Sequence, residues 1–85
     1  MTRKDILEEL KIVLAPYTPH KETLGAISGD TDFVRDLKIN SANLVDIIIE
    51  AEERYNIEID MDSAEKIHDV GSCIDVILEK MNEKE

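Results

Sequence analysis

Cysteine, histidine and aromatic residues are scarce in this chain: its 85 residues hold one Cys, two His, two Tyr, one Phe and no Trp. A lone Cys73 cannot form an internal disulfide, so nothing points to an oxidising compartment. Two His and one Cys are a thin stock of nucleophiles and bases, which argues against an enzyme. Basic residues are few as well, ten Lys and Arg against twenty Asp and Glu, for a net charge of −10. Binding phosphate needs clustered Lys and Arg, so this balance excludes nucleic acid and anionic membrane surfaces from the expected partners. No apolar run approaches the ~20 residues of a membrane span. The N-terminal MTRKDILEEL is charged within five residues and has no signal-peptide core. With only three Gly and two Pro there is no Gly-rich phosphate loop, no nucleophile elbow and no linker. These absences leave a single domain over residues 1–85, expected to be cytoplasmic and monomeric. A chain of this length buries only about 60% of the surface that its unfolded form exposes, which leaves little room for a walled active site.

What the chain does have is acid, unevenly placed. Residues 1–37 carry seven acids and five bases, residues 38–85 thirteen acids and five bases, and Asp46 to Glu65 holds eight acids opposed only by Arg54. Such a run is either a solvated helix face or a docking surface for a basic partner or a cation.

The hydrophobic pattern predicts an all-α fold, a small four-helix bundle with three main helices, one short third helix and a long loop between the first two. Thr2 and Asp5 open a first helix over about 3–15, with Ile6, Leu10, Val13 and Leu14 at helical spacing and Pro16 ending it. The stretch from Pro16 to Asn40 is too rich in turn residues for a long helix. Leu24, Ile27, Phe33 and Leu37 are placed to pin it to the core, with a helical turn possible around Glu22 to Ile27. A second helix runs from Ser41 to Tyr55 and stops at Asn56. Asp60 and Asp62 suggest a short helix over about Met61 to Lys66. Asp69 caps a fourth that carries Val70, Cys73, Ile74, Ile77, Leu78 and Met81.

The second helix has more apolar residues than one core stripe needs. Leu44, Ile47, Ile48, Ala51 and Tyr55 follow the core spacing, whereas Ala42, Val45, Asp46, Ile49, Glu52 and Glu53 lie on another face. Val45 and Ile49, flanked by acids, are either an exposed interaction strip or the half-buried edge of the core, and periodicity leaves both open.

Few residues are candidates for chemistry. Asp60-x-Asp62 begins like a calcium loop, but Glu65 stands where that loop needs Gly and Gly71 where it needs a bidentate Glu. Asp30-x-Asp32 fails at Arg35. Cys73 lies on an apolar stripe and reads as a small core hydrophobe. His20 and His68 have no partner at metal-ligand spacing and read as structural or solvent-exposed. Ser41 stands at the junction of the long loop and the second helix. It reads either as a helix cap or as a modification site, where an attached phosphate would lie near the positive end of the helix dipole. The chain offers no base to activate this serine, so another enzyme would have to modify it.

The segment FVRDLKINSANLVDIIIEAEERYNIEID, Phe33 to Asp60, resembles the centre of an acyl carrier protein. That family has a Phe, an Asp-Leu-Gly, and an Asp-Ser-Leu motif that opens an acidic second helix ending in an aromatic residue before an Ile-rich turn. DSAEKIHDVGSCIDVI continues the likeness through the family's short third helix, its turn ending in Val, and its fourth helix. The resemblance implies that Ser41 receives 4′-phosphopantetheine from coenzyme A through a phosphopantetheinyl transferase, normally with magnesium. The arm would carry acyl groups as thioesters to acyl-transferring and synthase enzymes of fatty acid, lipid or polyketide biosynthesis. The chain itself would not be a catalyst. By the same likeness Asp46, Glu52 and Glu53 would meet basic docking patches on those enzymes, with Val45 and Ile49 in the same recognition strip and Asn40 and Ala42 beside the serine.

Three positions depart from the family pattern. Asn40 replaces an Asp, Ala42 a Leu and Lys38 a Gly, which points to a dedicated carrier with its own partners. Lys-Ile-Asn-Ser does not resemble the Gly-Gly-His-Ser of many peptidyl or aminoacyl carriers, the nearest alternative. A further alternative is an unmodified acidic module that binds a basic partner.

Overall fold

The computed structural model describes residues 2–19 and 21–84; His20 lies outside the described residues. Each helix begins where a short polar side chain can take up free backbone N–H groups. Helix α1, Arg3–Leu14, opens on a capping box in which Thr2 Oγ1 accepts from the Asp5 N–H and the Asp5 carboxylate accepts from the Thr2 N–H. Helix α2 is Asn43–Tyr55 and stops at Asn56, whose φ of 53° is the left-handed conformation that turns the chain out of a helix. Asp60 caps the four-residue α3, Met61–Ala64, by accepting the Ser63 N–H at 2.8 Å. Asp69 caps α4, Val70–Lys84, by accepting the Ser72 N–H at 2.7 Å, while Ser72 Oγ accepts the Asp69 N–H in return.

The long connection after α1 is ordered by the core. Leu24, Ile27, Phe33 and Leu37 are all buried, as the pattern predicts, and Ile39 and Thr18 join them. The Thr18 hydroxyl donates to the Leu37 carbonyl at 2.6 Å, so the one buried hydroxyl of this segment is satisfied by its own loop. A 3-10 helix over Lys21–Ala26 supplies the expected helical turn. Further on the chain runs beside the connection between α3 and α4. Gly71 N donates to Gly29 O at 2.9 Å, Val70 N to Thr31 O at 2.9 Å and Phe33 N to His68 O at 3.2 Å. A β-carbon on Gly71 would lie 2.8 Å from the Gly29 carbonyl oxygen, so only glycine permits this approach.

The core between α1, α2 and α4 is built from Ile6, Leu10 and Leu14 against Ile47, Ala51, Val70, Cys73 and Ile77. Phe33 is fully buried among them, and Val76, which was not on the expected stripe, is buried too. Burial pushes the Cys73 thiol up to about 12, in keeping with an inert core residue. Helix α1 ends one residue before the expected Ala15 and α3 two before Lys66. No helix among the described residues is long and apolar enough to cross a membrane.

Candidate functional site

The approach to Ser41 is set by two buried anchors. Leu37 and Ile39 are both buried, and Ile39 N donates to Phe33 O at 3.0 Å. Lys38 between them has a φ of 57°, in the left-handed region that disfavours a side chain. The chain then emerges, and Asn40, Ser41 and Ala42 are exposed.

The first turn of α2 has no side-chain cap, and the side-chain bond just before it comes from Asn40 and not from the serine. Asn40 Oδ1 accepts the Ala42 N–H at 2.8 Å, and the carbonyls of Asn40 and Ser41 accept from Asn43 and Leu44 at 2.8 and 3.2 Å. Ala42 occupies the cap position with helical dihedrals and no side-chain cap. Asn40 makes an Asx turn here, which a two-residue reach favours over a cap from Ser41. Among the described residues the Ser41 hydroxyl makes no hydrogen bond, and the side chain is left at the surface. The other serines differ: Ser63 is buried, Ser72 Oγ is engaged at the start of α4, and Ser28 stands in a loop tied to Thr31.

Along α2, Val45 and Ile49 are four residues apart and share one face, and Ser41 stands in the turn that leads into the helix. Val45 is 60% exposed and Ile49 46% exposed. The packing therefore resolves what periodicity left open: the core takes Ile47, Ala51 and Tyr55, with Leu44 and Ile48 packed against its edge, and leaves the second apolar row in solvent. Asp46 and Glu53 flank that row and are exposed. Glu52 is turned differently. It is half-buried, and its Oε2 accepts the Ile59 N–H at 2.8 Å, which ties α2 to the connection before α3. Glu50 accepts from the Tyr17 hydroxyl at 3.0 Å, and that bond holds the phenol's pKa above its usual value.

His68 is exposed and its Nε2 lies 3.3 Å from Asp69, a pair only when the ring is protonated. Among the described residues no three His, Cys, Asp or Glu side chains are grouped to hold a metal ion.

An exposed serine thus stands at the head of an acidic, partly apolar helix. The family described as "Phosphopantetheine attachment site" matches residues 20–77. The acyl carrier protein of Tropheryma whipplei (strain Twist) is 33% identical over 81 residues, covering 92% of this chain and 93% of that protein. That of Helicobacter pylori (strain J99 / ATCC 700824) is 38% identical over 72 residues, covering 85% and 80%. That of Rubrobacter xylanophilus is 32% identical over 79 residues, covering 93% and 95%. The chain belongs to the acyl carrier protein family, and the prosthetic group of its domain is 4′-phosphopantetheine. The residues present fit that group, because Ser41 offers a solvent-facing hydroxyl that no neighbour among the described residues occupies.

Proposed function

We propose that Ser41 is the attachment residue and that the chain carries acyl intermediates between partner enzymes without catalysing their chemistry. When bound, the group supplies a thiol on a flexible arm, which holds an acyl group as a thioester. Everything else falls to the chain's own residues. Asn40 holds the first turn of α2 through Ala42 N–H, which leaves the Ser41 hydroxyl outside the helix's own hydrogen bonding. No base hydrogen-bonds to that hydroxyl among the described residues, so a phosphopantetheinyl transferase takes up its proton as Oγ bonds to the pantetheine-side phosphorus of coenzyme A, the pyrophosphate P–O bond breaks and adenosine 3′,5′-bisphosphate leaves. Asn40, Ala42, Val45 and Ile49 form the uncharged part of the docking face, and Asp46, Glu52 and Glu53 bring negative charge to meet basic patches on the partners. Glu52 contributes in two ways, as a charge and as the acceptor for Ile59 N–H. The cargo belongs to fatty acid, lipid or polyketide-type biosynthesis, and the protein acts as a cytoplasmic monomer.

The observation that carries this assignment is the free, exposed hydroxyl of Ser41 at the head of α2. Incubation with coenzyme A, magnesium and a broad-specificity transferase should add one phosphopantetheinyl group, read by intact mass, and peptide mapping should place it on Ser41. A group on Ser28, or none with several transferases, would sink the assignment. The latter result would favour an unmodified module that binds basic partners.

A further inference from the structure

Lys38 carries an observation that attachment at Ser41 leaves unexplained. Its backbone is left-handed, with φ 57°, a conformation that glycine enters freely and that residues with a β-carbon rarely adopt. The turn itself therefore gains nothing from lysine. Leu37 and Ile39 on either side go to the core, and the Lys38 side chain goes to solvent. Arg3, Lys11, Arg35, Arg54 and Lys80 each pair with a carboxylate, whereas Lys38, like Lys4, Lys21 and Lys66, makes no ion pair among the described residues; of these four, Lys38 alone stands within three residues of Ser41. Arg35, the other cation of this loop, is neutralised by Asp36 at 3.1 Å. From Ile39 to Val45 every residue is uncharged, and the acid begins at Asp46. Ser41 thus lies between a cation on one side, which makes no salt bridge and feels Asp36 only at a distance, and an acidic helix on the other.

We infer that Lys38 is a specificity-determining residue for docking at Ser41. It disfavours partner surfaces that are basic throughout and favours one whose basic patch, set against Asp46 and Glu53, carries a carboxylate opposite Lys38. This rests on the carrier function proposed above. The physics is that of charge complementarity: a like charge facing Lys38 across the interface is repelled, and a rim charge acts mainly on the association rate and its salt dependence. Asn40 reinforces the division. It is neutral, and its Oδ1 is already used by Ala42 N–H, so nothing at the serine offsets the ammonium.

The test uses the full chain, coenzyme A, magnesium and a transferase whose carrier-binding face is basic throughout, with second-order loading rates read by intact mass at low and high salt. Lys38→Gly keeps the turn and removes the charge, and Lys38→Glu reverses it. At low salt Lys38→Gly should load about threefold faster than the unaltered chain and Lys38→Glu about tenfold faster, with the three converging at high salt. Circular dichroism melting establishes that all three are folded. Equal rates at low salt, with the group on Ser41, would overturn the role of Lys38 and leave the carrier function standing. If none of the three is loaded, the carrier function fails. Calorimetric affinity of the same transferase for the three unloaded chains then reads Lys38 separately, and a Lys38→Glu chain bound no tighter overturns it. Single Lys/Arg→Glu substitutions over the transferase face should include one that speeds loading of the unaltered chain and slows that of Lys38→Glu. A scan with no such position would overturn the carboxylate half of the proposal.

Discussion

Removing the Ser41 hydroxyl should cost the fold little, because Oγ makes no hydrogen bond among the described residues and the side-chain bond before α2 comes from Asn40. We expect Ser41→Ala to change stability by less than about 0.5 kcal/mol, as for other surface substitutions, while abolishing loading. Asn40→Ala should cost more, about 0.5–1.5 kcal/mol, the usual net worth of the one hydrogen bond it removes. Urea unfolding of the two variants checks the order, and a larger loss for Ser41→Ala would mean that the serine is the cap. Lys38→Gly removes a left-handed conformation worth roughly 1–2 kcal/mol but gives the unfolded chain about 0.4–1 kcal/mol more entropy. The balance is a small gain in melting temperature. Gly71→Ala must push a β-carbon against the Gly29 carbonyl 2.8 Å away, where the contact is backbone and cannot swing aside. A loss of about 1–3 kcal/mol follows, as for other overpacked sites.

Within α2 the acids do different things, so their substitution should separate docking from folding. Asp46 and Glu53 are exposed and make no ion pair among the described residues. Reversing both to Lys relieves part of the acidic repulsion, so it should hold or raise the melting temperature, and it should slow loading by about tenfold at low salt; loading at the unaltered rate would make this acid a solvated face only. Glu52→Ala should instead free the Ile59 amide, raising its hydrogen-exchange rate while Glu53→Ala leaves it alone. The helix caps also give the fold an acid limit. Hydrogen bonds from Ser63 lower the pKa of Asp60, and the Ser72 N–H lowers that of Asp69. A carboxyl depressed in the native state contributes stability that is present above the ordinary value of 3.8 and is lost as pH falls through the lower native value. The melting temperature should therefore drop steeply below about pH 4, and Asp69→Asn, which has no charge to titrate, should drop less steeply.

For the whole molecule, charge opposes compaction. The chain has a net charge of −10 within a Cα radius of gyration of 11.8 Å, close to the roughly 12 Å expected for a well-packed domain of this length. Salt weakens two things here: the attraction within surface pairs such as Arg3–Asp75 and Arg54–Glu9, and the repulsion among the unpaired acids. Each exposed pair is worth about 0–1 kcal/mol at most, and acids outnumber bases two to one, so the loss of repulsion wins. Added sodium chloride or magnesium should raise the melting temperature. A fall with either would mean that the surface pairs dominate.

Much of the architecture is written in short-range chemistry and was legible without coordinates. Thr2 with Asp5, Asp60 before the third helix, Asp69 before the fourth, and Asn56 as a stop could each be read from the sequence, because each acts within about four residues, the range over which a side chain reaches its own backbone; that Ser63 and Ser72 supply the bonded N–H groups came with the structure. The apolar residues of the long connection likewise declared that it is pinned, because Leu24, Ile27, Phe33 and Leu37 have no other way to leave water. The sequence alone also located Ser41 between loop and acidic helix. Other features depend on what lies across the molecule. Periodicity shows that α2 has two apolar rows but not which one α1 and α4 cover, and only packing left Val45 and Ile49 in solvent. The sequence offered Ser41 as a cap, but the chain emerging from buried Leu37 and Ile39 gives the side-chain bond before α2 to Asn40 and leaves the serine hydroxyl unused. Glu52 reads as one more surface acid until the chain returns at Ile59 and offers it an N–H. The contact of Gly71 with Gly29, forty-two residues apart, exists only once the loop lies against α4. Local bonds and patterns determine where helices begin, end and carry their apolar residues; long-range packing decides which of those residues are covered and which remain free to meet a partner.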